Sequence, residues 1–173
     1  MSTEDKFSNQ LKSDNAFLAK TVFDLHRLIQ EQSNELYLEK DMGFPVAVSS
    51  TLLFMSQQPH VSTMQVATAL NITHQLVSQR IKVLLKLGLI EGNTDGNDRR
   101  KTFYSLTSRG QQKVQVLNLY CLDAASAFSD LSDEVGVDLQ KVLNAAINAL
   151  HRTPFGKRFP TNVLSYNEQT SHK

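Results

Sequence analysis

The sequence predicts a mainly α-helical chain carrying one small β-hairpin. Three observations lead there. The 173 residues include only 7 Gly and 4 Pro, too few for a turn-rich all-β fold. Apolar residues recur at spacings of three and four along most of the chain, which is the period of one helix face. That period lapses once, after Gly88, where two short runs of strand formers flank Thr94-Asp-Gly-Asn97, a turn composition.

Each element has its own local cause. Residues 1–13 show no sustained apolar stripe and are expected to be a disordered tail. Ser13 or Asp14 can cap a first helix, and Phe17, Val22, Leu25, Leu28, Ile29 and Leu36 line one side of it. Gly43 is a plausible stop. Pro45 suits the opening of a second helix, where its missing N–H costs nothing. Residues 46–72 carry no charged side chain, so this stretch is expected to be largely buried. Ser62-Thr-Met-Gln65 reads as a capping box for a short helix over 63–70, with Val66, Ala67 and Leu70 facing inward. After Asn71-Ile72, Thr73 can cap a further helix from His74 to about Leu87. Val77, Ile81, Leu84 and Leu85 form its inward face, and Gly88 supplies a left-handed stop. Leu89-Ile90-Glu91 and Lys101–Leu106 read as the two strands of the hairpin. Thr107 can cap a long helix through Val114, Leu117, Cys121, Phe128 and Leu131. Ser132 is expected to start the last one, with Leu139, Leu143, Ile147 and Leu150 on one face.

Charge is distributed unevenly. The net charge is only +1, yet residues 73–113 hold 8 basic and 3 acidic side chains, while residues 114–151 hold 1 and 5. A polyanion responds to such local clustering rather than to the total. The basic segment coincides with two short helices joined by a tight turn, a helix-turn-helix candidate. The outward face of its second helix offers Gln75, Ser78, Gln79 and Lys82, flanked by Arg80 and Lys86. Gln can pair with N6 and N7 of adenine, Ser can bond a base or a phosphate, and cations neutralise phosphates. The hairpin tip Arg99-Arg100-Lys101 suits a wing that places Arg in a minor groove. The order helix-helix-helix-strand-strand is that of a winged helix, here extended by long N- and C-terminal helices.

Three stretches carry a family resemblance: Leu84-Leu-Lys-Leu-Gly-Leu-Ile90, Asp95-Gly-Asn-Asp-Arg-Arg100 and Leu106-Thr-Ser-Arg-Gly110. In this order and spacing they resemble the MarR family of bacterial winged helix-turn-helix transcriptional regulators, over about residues 14–151. Leu85 and Gly92 depart from the pattern, where Glu and Arg are common. The resemblance implies a single domain, with the winged helix at about 45–107 and dimerisation helices at about 14–41 and 107–151. Residues 152–173 are expected to be a C-terminal extension, partly mobile; its end, 161–173, lies outside the described residues. It implies a homodimer that binds a double-stranded, pseudo-palindromic operator, and a small-molecule effector, often an aromatic acid, between the dimerisation and winged-helix regions. It assigns base reading to Gln75, Leu76, Ser78, Gln79 and Lys82, and wing contacts to Arg99 and Arg100, with Asp98 orienting Arg100. Leu76 has two readings that stay open: contact with a thymine methyl, or packing against the preceding helix.

Other function classes find little support. The sequence has no G-x-S-x-G, phosphate loop or G-x-G-x-x-G, so an enzyme is not expected. The five histidines show no metal-ligand spacing, and neither a metal nor a cofactor is expected. Cys121, the single cysteine, lies in the apolar run Leu119–Leu122 and is expected to be buried and inert. The N-terminus lacks the apolar core of a signal peptide, and no apolar run approaches the roughly 18 residues of a membrane span, so a cytoplasmic location without membrane contact is expected. The competing functional reading is a winged-helix protein-interaction module, an adaptor or anti-regulator without DNA binding. Such a module has no need of a basic hairpin beside a Gln/Ser/Lys helix face.

Overall fold

The computed structural model describes residues 2–94 and 102–160. The chain divides after Tyr120 into two compact units, Met1–Tyr120 and Cys121–Lys173. In chain order the elements are α1 (Thr3–Ser13), α2 (Leu18–Glu39), α3 (Ser49–Ser56), α4 (Thr63–Leu70), α5 (His74–Lys86), β1 (Ile90–Thr94), β2 (Thr102–Leu106), α6 (Ser108–Val135) and α7 (Leu139–Arg152). The architecture is mainly α with one antiparallel hairpin, as the sequence predicts.

The N-terminal residues differ from the expected disordered tail. Ser2 and Asp5 form a complete capping box, with Glu4 and Asp5 in the first turn complementing the helix dipole, and α1 follows. Asp14 then caps a 3-10 turn, Asn15–Phe17, by accepting from the Ala16 N–H at 2.8 Å, and α2 begins one residue later. That helix ends at Glu39, before Gly43. Asp41 turns the chain in the left-handed region, at φ 46°.

The core of the first unit gathers around α3, α4 and α5. Leu52, Met55, Val66, Val77 and Leu84 are fully buried there, which matches the charge-free stretch and the inward spacing read from the sequence. The capping box at Ser62 is complete: the Gln65 N–H donates to Ser62 Oγ at 3.3 Å, and the Ser62 N–H donates to Gln65 Oε1 at 2.8 Å. Val61 and Val66 occupy the two positions of a hydrophobic staple, and both are fully buried. Asn71 closes α4 in the left-handed conformation, and Thr73 Oγ1 caps α5 by accepting from the Leu76 N–H at 3.2 Å. One inward assignment fails. Leu85 is exposed, because it lies on the shoulder of α5 rather than with Val77, Ile81 and Leu84.

The strands pair with Ile90 opposite Leu106 and Gly92 opposite Tyr104. β2 also has a partner on its other edge. Val61 and Tyr104 exchange both backbone hydrogen bonds, at 3.0 and 2.8 Å, so the segment before α4 adds one bridge to the hairpin.

The segment Leu106-Thr-Ser-Arg-Gly110 acts as a joint. The Thr107 N–H donates to the Leu89 carbonyl at 3.1 Å, and its hydroxyl donates to the Gly88 carbonyl at 2.7 Å. The same hydroxyl oxygen accepts from the Gly110 N–H at 3.0 Å, which caps α6. Gly110 is buried, and a Cβ there would drive into the Leu89 carbonyl. Only glycine permits this approach of α6 to β1.

In the second unit, the expected helix start at Ser132 is a helix interior. The Ser132 hydroxyl donates to the Phe128 carbonyl at 2.9 Å and α6 runs on to Val135. Gly136, at φ +73°, makes the break, and Asp138 caps α7 by accepting from the Lys141 N–H at 2.9 Å. Beyond α7, Arg158 folds back and donates to the Thr153 carbonyl at 3.2 Å and to the Ala149 carbonyl at 2.8 Å, which also accepts from the Thr153 N–H.

The joint gives a test. Gly110→Ala is expected to cost about 3 kcal/mol or more, because backbone rather than a flexible side chain must yield. Urea unfolding of the variant measures this. A cost below about 0.5 kcal/mol, the size of an ordinary surface substitution, would contradict the close approach.

Candidate nucleic-acid interface

Helix α5 presents three faces with different chemistry. Val77, Ile81 and Leu84 face the core. Gln75, Ser78, Gln79, Lys82 and Lys86 are all exposed and fall on one stripe at helical spacing. This stripe brings together four of the residues expected to read DNA, on the second helix of the helix-turn-helix. Leu76 is 37% exposed on the shoulder of the stripe, which disfavours its burial against the preceding helix.

Two polar groups on α5 are already engaged. The Ser78 hydroxyl donates to the His74 carbonyl at 2.9 Å, so its lone pairs rather than its proton face outward. Arg80 departs from its expected flanking position. It stands about 140° around the helix from Gln75, at 100° per residue. Its Nη1 donates to Ser50 Oγ at 3.2 Å and to Thr51 Oγ1 at 3.4 Å. Burial lowers the Arg80 pKa, and its Nε is buried with no hydrogen-bond partner among the described residues. Arg80 therefore ties α5 to the start of α3 as a structural cation.

The wing is described only at its base. Asp98, Arg99 and Arg100 lie outside the described residues. At the base, His60 Nδ1 and Ser105 Oγ are 2.8 Å apart, and together with the Val61–Tyr104 bridge this pair joins the segment before α4 to β2. Sequence reasoning missed both contacts. The buried apolar residue just before the capping box was the available clue to the bridge.

A concavity lies within the first unit. It encloses about 470 Å³ and is lined by Met55, Gln57, Ser105, Leu106, Gln111 and Val114, with three further uncharged residues. Cys121, expected to be buried, is exposed on α6. Among the described residues, no group of three or more His, Cys, Asp or Glu side chains could hold a metal ion, and no helix is long and apolar enough to cross a membrane.

Comparison with known proteins agrees with this geometry. Residues 42–101 match the model of the MarR family. The transcriptional regulator AdcR of Streptococcus pneumoniae is 24% identical over 145 residues, covering 82% of this chain and 95% of AdcR. The transcriptional regulator BldR from Sulfolobus solfataricus superposes with a TM-score of 0.59 at 20% identity, over 88% of this chain and 99% of BldR. A MarR protein from Peptoclostridium difficile superposes with a TM-score of 0.63 at 15% identity, over 82% and 89% of the two chains. The family match spans the helix-turn-helix and the hairpin, the same segment that carries the exposed Gln/Ser/Lys stripe, and over that segment the chain is similar to the MarR family of transcription regulators.

Proposed function

We propose that the protein is a cytoplasmic, homodimeric repressor that binds a pseudo-palindromic operator in a sequence-specific manner and releases it on binding a small molecule. The exposed stripe Gln75, Ser78, Gln79 and Lys82 on the second helix of the helix-turn-helix carries this reading. Its N-terminal part is neutral and suited to base edges, and its C-terminal part is cationic and suited to phosphates. Arg99 and Arg100 contact DNA from the wing, and Asp98 orients Arg100.

The apolar surface supports the homodimer. In α2 Tyr37 is the one buried residue among the described residues, while Leu18, Val22, Phe23 and Leu28 are exposed. α7 buries none, and Val142, Leu143, Ile147 and Leu150 are exposed on it. Stripes this long need cover, and a second copy supplies it with two-fold symmetry, which places two recognition helices on one duplex.

The effector shifts the dimer between two spacings of those helices, one of which fits the operator. The 470 Å³ groove beside β2 and α6 is a place for it. None of the lining residues carries a charge, so an aromatic acid finds no counter-ion there. An uncharged aromatic compound with hydrogen-bonding groups suits that lining better.

Three measurements test this reading. Sedimentation at micromolar concentration is expected to give a dimer, and Ile147→Asp is expected to give monomers with weakened operator binding. A wild-type monomer would overturn the assembly. Gln79→Ala is expected to weaken the preferred operator by about 1–3 kcal/mol and leave random DNA nearly unaffected, as read by fluorescence anisotropy. Equal losses on both DNAs would remove Gln79 from base reading. Asp98→Ala is expected to weaken binding although it removes a negative charge, because Arg100 loses its orientation. Tighter binding at every salt concentration would reduce the wing to a basic patch.

A further inference from the structure

We infer that the two base pairs under the first turns of α5 are A·T pairs whose adenines are read by Gln75 and Gln79, and that guanine is excluded there. The inference deepens the proposed DNA reading and rests on α5 entering the major groove.

The first observation concerns the missing guanine reader. Arg paired with O6 and N7 is the commonest contact to guanine. Arg80 is the arginine of α5, and the structure places it off the stripe, between it and the core face, bound to Ser50 and Thr51 of α3. Its guanidinium is committed to holding the helix, so the exposed side chains of residues 74–79 include no lysine or arginine.

The second observation concerns what replaces it. Gln75 and Gln79 are exposed one turn apart. A primary amide offers one acceptor and a two-proton donor, which matches the N6 donor and N7 acceptor of adenine. Guanine offers two acceptors on the same edge, so the amide pairs there only through its NH2 group and loses the second, accepting hydrogen bond that adenine supplies. Ser78, between the two glutamines, has its hydroxyl proton committed to the His74 carbonyl. It can accept from an exocyclic amine, of adenine or cytosine, and cannot donate to guanine. Leu76 adds an exposed apolar contact on the same turns, and a thymine methyl is its complement in the groove. Four neighbouring side chains thus agree with adenine and thymine.

The geometry also fixes a spacing. Four residues of α-helix rise about 6 Å, close to two base-pair steps of about 3.4 Å. The two adenines therefore stand about two steps apart in each half-site. Lys82, one turn further on, is the residue placed to meet a phosphate or a flanking guanine.

The test begins with selection of bound duplexes from a random pool by the full chain. Adenine is expected at two positions about two steps apart in each half-site. Each adenine is then replaced by 7-deazaadenine, which lacks the N7 acceptor. Wild-type binding is expected to weaken about 10-fold per half-site pair, in line with loss of part of a bidentate contact. In Gln79→Ala, the replacement opposite position 79 is expected to have no further effect, while the one opposite position 75 keeps its effect. Gln79→Arg is expected to move the selected base from adenine to guanine at one position. Arg80→Ala is expected to enrich the same bases as wild type, because Arg80 reads none. Enrichment of guanine at the two positions in wild type overturns this inference and leaves DNA reading standing. A 7-deaza effect unchanged in Gln79→Ala also overturns it. No enrichment of any sequence overturns the proposed function itself.

Discussion

The hairpin and the long helix after it are joined through one close contact, the packing of Gly110 on the Leu89 carbonyl. At this point the end of α5, the start of β1 and the first turn of α6 lie within hydrogen-bond distance of one another. Thr107 satisfies three groups there: its N–H donates to Leu89, its hydroxyl donates to Gly88, and its oxygen caps α6. Of these partners Leu89 and Gly110 are buried, and a buried backbone group left unpaired would cost on the order of 1–3 kcal/mol. The joint works only because residue 110 has no side chain. The first turn of α6 is thus fixed against the start of β1 by the close backbone contact at Gly110 and by the Thr107 hydroxyl. Surface side chains can change around the joint without disturbing it.

A second constraint is the division of α5 among its neighbours. Its core face is apolar and continuous with α3 and α4. Its outer stripe is polar and exposed. Arg80 lies between them and is tied to α3 by two hydroxyl groups. A partly buried guanidinium with an unpaired Nε is an expensive fastening, since burial disfavours its charge. Such a fastening resists sliding and rotation in a way that a purely apolar contact does not. The azimuth of α5 decides which side chains its exposed stripe presents, because a rotation of one residue exchanges Gln79 for Arg80 there.

Much of this was legible in the sequence, for definite reasons. The capping box at Ser62, the cap at Thr73, the stop at Gly88 and the cap at Thr107 are local devices, complete within a few residues. Local patterns name them correctly. The failures are of other kinds. Leu85 follows the apolar spacing but falls on the shoulder of α5, because a four-residue inward series drifts around a helix of 3.6 residues per turn. Ser132 has the chemistry of an N-cap, yet in place it returns its hydroxyl to Phe128, and Gly136 with Asp138 makes the break instead. Cys121 keeps apolar company in sequence, while its face of α6 is exposed in the single chain. Arg80 looked like one more DNA-facing cation until its partners on α3, 29 and 30 residues away, were visible. Long-range pairing of this sort leaves no periodic trace. The same holds for the bridge between Val61 and Tyr104.

That bridge alters what kind of object the wing is. Counting Val61, the sheet is three segments wide at its base, and β2, the last of them in the chain, occupies the middle. Its backbone is engaged on both edges near Tyr104, and its C-terminal end runs directly into the joint at Thr107. The connection between the strands is therefore not what holds the second strand in place. Loop length and composition between β1 and β2 are free to drift over generations without dismantling the base. The base of the hairpin and the exposed stripe of α5 thus rest on separate contacts, the first on the Val61 bridge and the Thr107 joint, the second on the hydroxyl groups of α3 that hold Arg80.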